Sequence, residues 1–300
     1  MSTKRKKKNK RPIPIAPQAT FKSRKKARVV TSLFHKYTRE LDVAQREHDD
    51  DKIVEIEKKI DAIGGRHAYQ QASQLSTSFF STSKWVLGKL ARSGWLYGVP
   101  TEMKCRRKLH LLEVGAINLE LLNAAKETRI QKDGTSVPKF NLCTKAIDLQ
   151  SSYEGIEEAD FLTLPFGRYD VVVCSMVINC VPRSDQRGLM LARLYHQLIP
   201  GGLCFLTLPR LCLTQSPYLT LDRFKNLLSR TGVGFELEEI KESPKIAFFI
   251  LRRPKDHETH IHEFDPVWET SKIMNNGKQY RNDFNVLLKR AEVSGEAFIS

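Results

Sequence analysis

The sequence predicts an α/β fold, a mostly parallel sheet with helices on both faces that follows an all-helical segment, and three observations predict it. Between residues 99 and 253, five short runs rich in Val, Ile, Leu, Phe and Cys alternate with stretches whose apolar residues recur three and four apart. That is the pattern of strands buried on both faces and joined by helices. The series closes on "GFELEEIKE" and "KIAFFILRR" with a turn at Ser243 and Pro244, a hairpin that adds two antiparallel strands and brings the sheet to seven. Ahead of the first strand, residues 29–98 keep a helical period.

Taken in order, the helical segment divides at Gly64 and Gly65, which stop the second of its helices, "DKIVEIEKKIDAI". "SLFHKYTRELDVAQRE" precedes it; "RHAYQQASQLST" and "STSKWVLGKLARSGWL" follow, with Ser or Thr available as N-caps. Strands are expected at "KLHLLEV", "FNLCTKAIDL", "YDVVVCSM" and "GGLCFLTL", with a short one in "EADFLTL". Helices fall at "LELLNAAKE", "SDQRGLMLARLYHQLI" and "TLDRFKNLLSRTG", and "TRIQKDGTSVPKF" reads as an inserted loop. Residues 254–300 are polar and read as a partly disordered extension.

Charge is concentrated at the start. Residues 1–28 hold twelve Lys or Arg and no acid, so they carry +12 of the net +15. Self-repelling charge without apolar periodicity predicts a disordered basic tail, suited to nuclear import and to gripping phosphates; a plain solubilising arm is the other reading. With no long apolar run and no secretory signal, the expectation is a soluble intracellular protein away from membranes. The six cysteines form no C-x-x-C pair and sit mostly in apolar runs, as free buried thiols do. His257, His260 and His262 lack partners at ligand spacing, so no metal is expected.

The first strand ends "LLEVGAIN": Glu113, a single glycine at Gly115, then a helix. A strand-to-helix turn with glycine lets the backbone approach a ligand at the carboxyl edge of a sheet. The second strand ends in Asp148, where a carboxylate can accept two ribose hydroxyls, and Asp160 with Phe161 could bond and cover an adenine ring. Ser175 closes the fourth strand as a further cofactor contact. One glycine, where dinucleotide turns use two or three, suits a ligand with no pyrophosphate at the turn. The terminal hairpin points the same way, since dinucleotide-binding dehydrogenases do not end so. The fold resembles that of class I S-adenosylmethionine-dependent methyltransferases, a Rossmann-like seven-stranded sheet over residues 99–253.

"LLEVGAIN", "AIDL", "DF" before the fourth strand, "SMVINCVP" with "QRGLML", "LPRLC" and "AYQQAS" together resemble the fungal large-subunit (25S) ribosomal RNA adenine-N1 methyltransferase family, over most of residues 64–253. The resemblance implies S-adenosylmethionine as cofactor, held at Gly115 and Asp148, and one adenine of ribosomal RNA as substrate during ribosome biogenesis. It implies work on pre-ribosomal particles in the nucleus and nucleolus, the basic tail independently suits engaging the import machinery, and the chain is expected to be a monomer. Metazoan relatives include the S-adenosylmethionine sensor SAMTOR, so a sensor acting through protein partners is an alternative, as is a small-molecule methyltransferase.

Adenine N1 offers an in-plane lone pair and no proton to lose, so the reaction needs alignment more than a base. N1 lies on the Watson–Crick edge, so the base must be unpaired and turned into the pocket. Asn179, in the exit "SMVINCVP", is the expected catalytic contact to the base edge, with Pro182 shaping the pocket and Phe166 or Tyr169 stacking. Amino-group methyltransferases tend to carry Asp or Asn, two prolines and an aromatic at this exit, which "INCVP" lacks. Deleting residues 1–28 is expected to weaken RNA affinity, flatten its salt dependence and let the protein leak into the cytoplasm, as read by binding titrations at several salt concentrations and by microscopy.

Overall fold

The computed structural model describes residues 23–77, 81–100, 106–151, 153–255 and 263–298. Helix α1 (Arg24–Glu47) starts where Ser23 accepts a hydrogen bond from Lys26 N, and buried Ala27 packs in its first turn. Lys25, Lys26 and Arg28 therefore belong to a helix rather than to the tail, because Ser23 caps it; residues 1–22 lie outside the described residues. His48, in the left-handed region at φ 54°, turns the chain into α2 (Asp50–Ala62), capped by Asp49. Gly64 and Gly65, both at positive φ, link α2 to α3 (Gly65–Thr77). Helix α4 (Thr82–Arg92), capped by Ser81, docks on the sheet through Trp85, edge-on to Phe205 and Phe248 at 5.2 and 5.1 Å.

Seven strands form the main sheet: β1 (Leu109–Val114), β2 (Leu142–Asp148), β3 (Ile156–Glu158), β4 (Tyr169–Ser175), β5 (Leu198–Pro209), β6 (Glu236–Glu242) and β7 (Ile246–Arg252). Their spatial order is β3-β2-β1-β4-β5-β7-β6, with β7 antiparallel to both neighbours and the other pairs parallel. This is the class I methyltransferase architecture, in which chain order reverses between β1 and β4. Helix α5 (Glu120–Lys126) follows β1, α6 (Ser184–His196) follows β4, and α7 (Leu211–Thr214) and α8 (Leu221–Leu228) follow β5. One face packs Val86, Leu90, Leu111, Val171 and Phe205 beneath α4 and α5. The other buries Leu112, Val172, Leu194, Phe224 and Phe249 beneath α6 and α8.

Four further expectations change. The inserted loop is a small hairpin, Thr128–Ile130 against Ser136–Pro138, closed by Gly134 at φ 84° and by Asp133 Oδ1 accepting from Thr135 N. The short strand lies upstream of "DFLTL", because Asp160 Oδ1 accepts from Leu162 N and folds that stretch into a turn. Cys143 is exposed, since it faces outward near the start of β2, whereas Cys174, Cys204 and Cys212 are buried; Cys105 lies outside the described residues.

The C-terminal extension is the largest change. Phe264, Trp268, Phe284, Val286, Leu288 and Val293 are buried and join the core beneath α6 and α8. The segment is irregular except for α9 (Arg290–Ser294) and short 3₁₀ turns, so it has no period to read. Its backbone is held partly by other elements, since Asn282 N donates to Gln215 O and Leu287 N to Ser184 O, and partly by itself, since Leu288 N donates to Trp268 O. The three expected non-ligand histidines, His257, His260 and His262, lie outside the described residues. No described helix is long and apolar enough to cross a membrane.

Helix α6 accepts this segment because Gly188 has no side chain: a Cβ there would sit 1.7 Å from Leu287 O. Substituting Gly188→Ala is expected to cost about 1–3 kcal/mol, since backbone cannot yield as a side chain would. A denaturant midpoint lowered accordingly, with earlier proteolysis between residues 263 and 298, checks this.

Candidate active site

The strands β1, β2 and β4 end at one edge, and the reversal between β1 and β4 opens the crevice in which this kind of sheet binds ligands. Gly115 leaves β1 at φ 71°, and its N–H and that of Ala116 both donate to Ile147 O at 2.9 Å. A Cβ on Gly115 would lie 2.4 Å from Val177 Cγ2, so the close approach that glycine permits here is to the loop leaving β4. That loop begins with Met176 at φ 60°, a conformation rare for a non-glycine residue. Met176 N is held by Thr207 O at 2.9 Å.

Glu113, two residues before Gly115, is buried and its Oε2 has no hydrogen-bond partner among the described residues. Burial first, and the nearby Glu120 carboxylate second, push its pKa up to about 8. Ser81 donates to Glu120, which ties the start of α4 to the start of α5. An orphaned buried carboxyl oxygen beside the glycine turn is an acceptor waiting for a donor, and a ligand ammonium group is the donor it fits.

Asp148, at the end of β2, is also buried, but its Oδ1 is engaged by Arg66 at 3.0 Å, by Gln70 Nε2 at 3.4 Å and by Gln150 N at 3.0 Å. Both side chains come from α3. Gln74, one turn further along the same face, donates to Ile117 O at 2.8 Å beyond β1 and to the Tyr153 hydroxyl at 3.1 Å. Tyr69 reaches the loop after β4, with its hydroxyl 3.2 Å from Cys180 Sγ. The spacing Arg66, Gln70, Gln74 puts three polar side chains on one helical face, so α3 lies across the ends of β2, β1 and β4. Tyr69 and Gln70 of this face belong to "AYQQAS", with Arg66 and Gln74 flanking it.

Asn179 sits in the 3₁₀ turn Ile178–Cys180 at the exit of β4. Its Nδ2 contacts Cys180 Sγ at 3.5 Å, while Oδ1 is buried and unpartnered among the described residues. Around it α1 and α3 bring aromatic rings: Phe34 stacks on Tyr69 at 4.5 Å and His35 meets Tyr69 edge-on at 5.2 Å. Burial, with Arg39 adding to it, lowers the His35 pKa to about 4, so this ring is neutral near pH 7. Burial pushes the Cys180 thiol up to about 11, which makes it a packed thiol and not a nucleophile. Pro182 is fixed from behind by Arg187, whose guanidinium donates to Val181 O, Pro182 O and Asn285 O at 2.7, 2.9 and 2.9 Å.

The remaining expected residues are placed less simply. Ser175 is at the edge, but its hydroxyl lies 2.9 Å from that of Thr82 and 3.0 Å from that of Thr207, so it joins β4 to α4 and β5. Asp160 is brought near Asp148, since Ala159 N donates to Asp148 O at 2.9 Å, and it is exposed. Phe161 is buried in the core, and Arg193 holds its carbonyl at 3.1 Å. Phe166 and Tyr169 precede or begin β4 and therefore lie at the opposite edge from Asn179, too far to stack on a base there. The stacking candidates are Phe34 and Tyr69, which the sequence did not single out because they come from helices remote in the chain. No group of His, Cys, Asp and Glu that could hold a metal is found among the described residues.

A family model described as "25S rRNA (adenine(2142)-N(1))-methyltransferase, Bmt2" matches residues 54–286. A Saccharomyces cerevisiae protein named 25S rRNA (adenine(2142)-N(1))-methyltransferase is 31% identical over 186 residues, 59% of this chain and 49% of the relative. The chain thus matches about half the length of that curated relative. Among solved structures, the N-methyltransferase NodS from Bradyrhizobium japonicum in complex with S-adenosyl-L-homocysteine is similar at TM-score 0.36 and 12% identity, over 61% of this chain and 97% of that one. An S-adenosylmethionine-dependent methyltransferase from Mesorhizobium loti is similar at TM-score 0.35 and 15% identity, over 49% and 92%.

Glu113 makes the unliganded protein pH-sensitive. Burial holds its folded pKa near 8, above the ordinary carboxyl value of 4.5, so its contribution is fully favourable below about pH 4.5 and is lost as pH rises to 8. Glu113→Gln is expected to flatten the decline of stability between pH 5 and 8, as measured by denaturant midpoints across that range.

Proposed function

The chain belongs to the Bmt2 family, whose model covers residues 54–286, and on that premise we propose that it transfers a methyl group from S-adenosylmethionine to N1 of an adenine in large-subunit ribosomal RNA. What supports the reading most directly is the pairing at one sheet edge of Glu113, whose buried oxygen lacks a partner, with Asn179, whose amide oxygen also lacks one. The first fits the ammonium of the cofactor's amino-acid part. The second fits the amino group of an adenine. Bound between them, S-adenosylmethionine supplies an electrophilic methyl group on sulfonium.

The chain's own residues then have distinct tasks. Glu113 gives up its proton to bulk water as it takes the ammonium, so binding is coupled to proton release below about pH 8. Asp148 accepts the ribose hydroxyls while Arg66 and Gln70 keep its carboxylate oriented. Helix α3 covers the strand ends and keeps water from the reacting atoms. Asn179 Oδ1 accepts from the adenine amino group, and that one contact turns N1 toward the methyl carbon. Phe34 and Tyr69 offer faces for the unpaired base. No base is required, and neutral His35 and the protonated Cys180 do not interfere.

The basic tail supports work on pre-ribosomal RNA in the nucleus and nucleolus, with import through the same clustered charges. Asn179→Ala is expected to slow transfer about ten-fold with cofactor affinity unchanged, the worth of one hydrogen bond in a dry site. Asp148→Ala is expected to lose cofactor binding by calorimetry. In cells lacking the protein, one N1-methyladenine should vanish from large-subunit ribosomal RNA; an unchanged map overturns the reading.

A further inference from the structure

The body of the chain, past residue 28, sums to only about +3, yet its charges are not evenly spread. At the edge where the strands begin, opposite the candidate active site, cations gather. Arg106, Arg107 and Lys108 lead into β1, Lys139 leads toward β2 and Arg168 leads into β4, all exposed. The hairpin before β2 adds exposed Arg129 and Lys132. The hairpin borders an open, shallow depression of about 460 Å³ lined by Arg129, Ile130, Gln131, Lys132 and Asp133.

Three carboxylates nearby offset only part of this charge. Asp170 is buried against Arg107 and accepts from His110 N, and Glu127 pairs with Lys139 at 2.7 Å. Asp133, exposed on the hairpin, accepts from Thr135 N and Oγ1 at 3.0 and 2.6 Å and stays charged, offsetting one of the hairpin cations. Lys108, Arg129, Lys132 and Arg168 are left without an ion pair among the described residues. Aromatic rings are interleaved: Tyr97 is 55% exposed, 6.2 Å from the Phe140 ring, over which Lys139 Nζ lies at 4.9 Å.

We infer that this edge is a second RNA-binding surface, one that grips the phosphate backbone of a segment separate from the one presenting the target adenine. Cations set beside an exposed aromatic are the composition that holds phosphates and stacks bases without reading sequence. Arginine in particular matches phosphate oxygens in pairs. Strand β4 runs from Tyr169 to Ser175, which at ~3.3 Å per residue separates the two edges by about 20 Å. One short loop cannot serve both, so the surface selects a folded RNA that wraps the domain. That RNA is the polymer rests on the proposed function.

The test uses the full chain and a fluorescein-labelled stem-loop RNA with an unpaired adenine. The variant Lys108→Gln/Arg129→Gln/Lys132→Gln/Arg168→Gln is expected to bind about ten-fold more weakly at low salt, with a log–log salt slope shallower by about three. Its affinity for S-adenosylmethionine should be unchanged. A control that replaces Lys58, Lys241, Lys272 and Lys278 by Gln should lose much less. Equal loss in the control would reduce the effect to net charge and overturn the inference. So would unchanged RNA affinity together with lost binding to a poly-glutamate peptide, which would assign the edge to an acidic protein. If the unaltered chain binds this RNA and fails to methylate any RNA, the proposed function falls while the binding comparison still decides the surface.

Discussion

The contact between Gly115 and Val177 is the constraint on which the rest of this edge depends. Two loops leave adjacent parallel strands in opposite directions, and they pass so closely that a side chain on Gly115 would lie 2.4 Å from Val177 Cγ2. The chain meets the requirement with a left-handed glycine on one side and with left-handed Met176 on the other. Strain of this kind persists only where the surroundings enforce it. Here Ile147 O holds the Gly115 turn and Thr207 O holds Met176, so both neighbouring strands fix the crevice before any ligand arrives.

Helix α3 is built on that fixed edge. Its polar face spans three strand ends, with Arg66 and Gln70 on Asp148, Gln74 on Ile117 O, and Tyr69 on Cys180. These bonds help satisfy polar groups at the buried strand ends. Helix α4 supplies the anchor through Trp85 between Phe205 and Phe248. The helical segment and the sheet are therefore one structural unit around the candidate site, and the acceptor side of that site is lined by residues from both.

The C-terminal segment does for the back of the β4 exit what α3 does for the front. Arg187, buried on α6, joins Val181 O and Pro182 O to Asn285 O, and its guanidinium lies 4.8 Å from the Phe284 ring. Gly188 next to it lets Leu287 approach the helix. The "QRGLML" run thus serves as a seat for a segment a hundred residues later, and that seat positions the loop bearing Asn179.

The sequence by itself determined the strand and helix alternation, the closing hairpin, and the carboxylates at the ends of β1 and β2, because these follow from periodicity and from residues adjacent in the chain. Only the tertiary structure decided which groups share the site. Phe166 and Tyr169 fall at the wrong edge because a strand carries its two ends about 20 Å apart, and Phe161 turns into the core because its turn does. Tyr69, Phe34, Arg66 and Arg187 enter because helices far away in sequence pack across the strand ends. The C-terminal segment was illegible for the same reason: its apolar residues have no period of their own, and they become a core only where α6 and α8 offer a surface to cover.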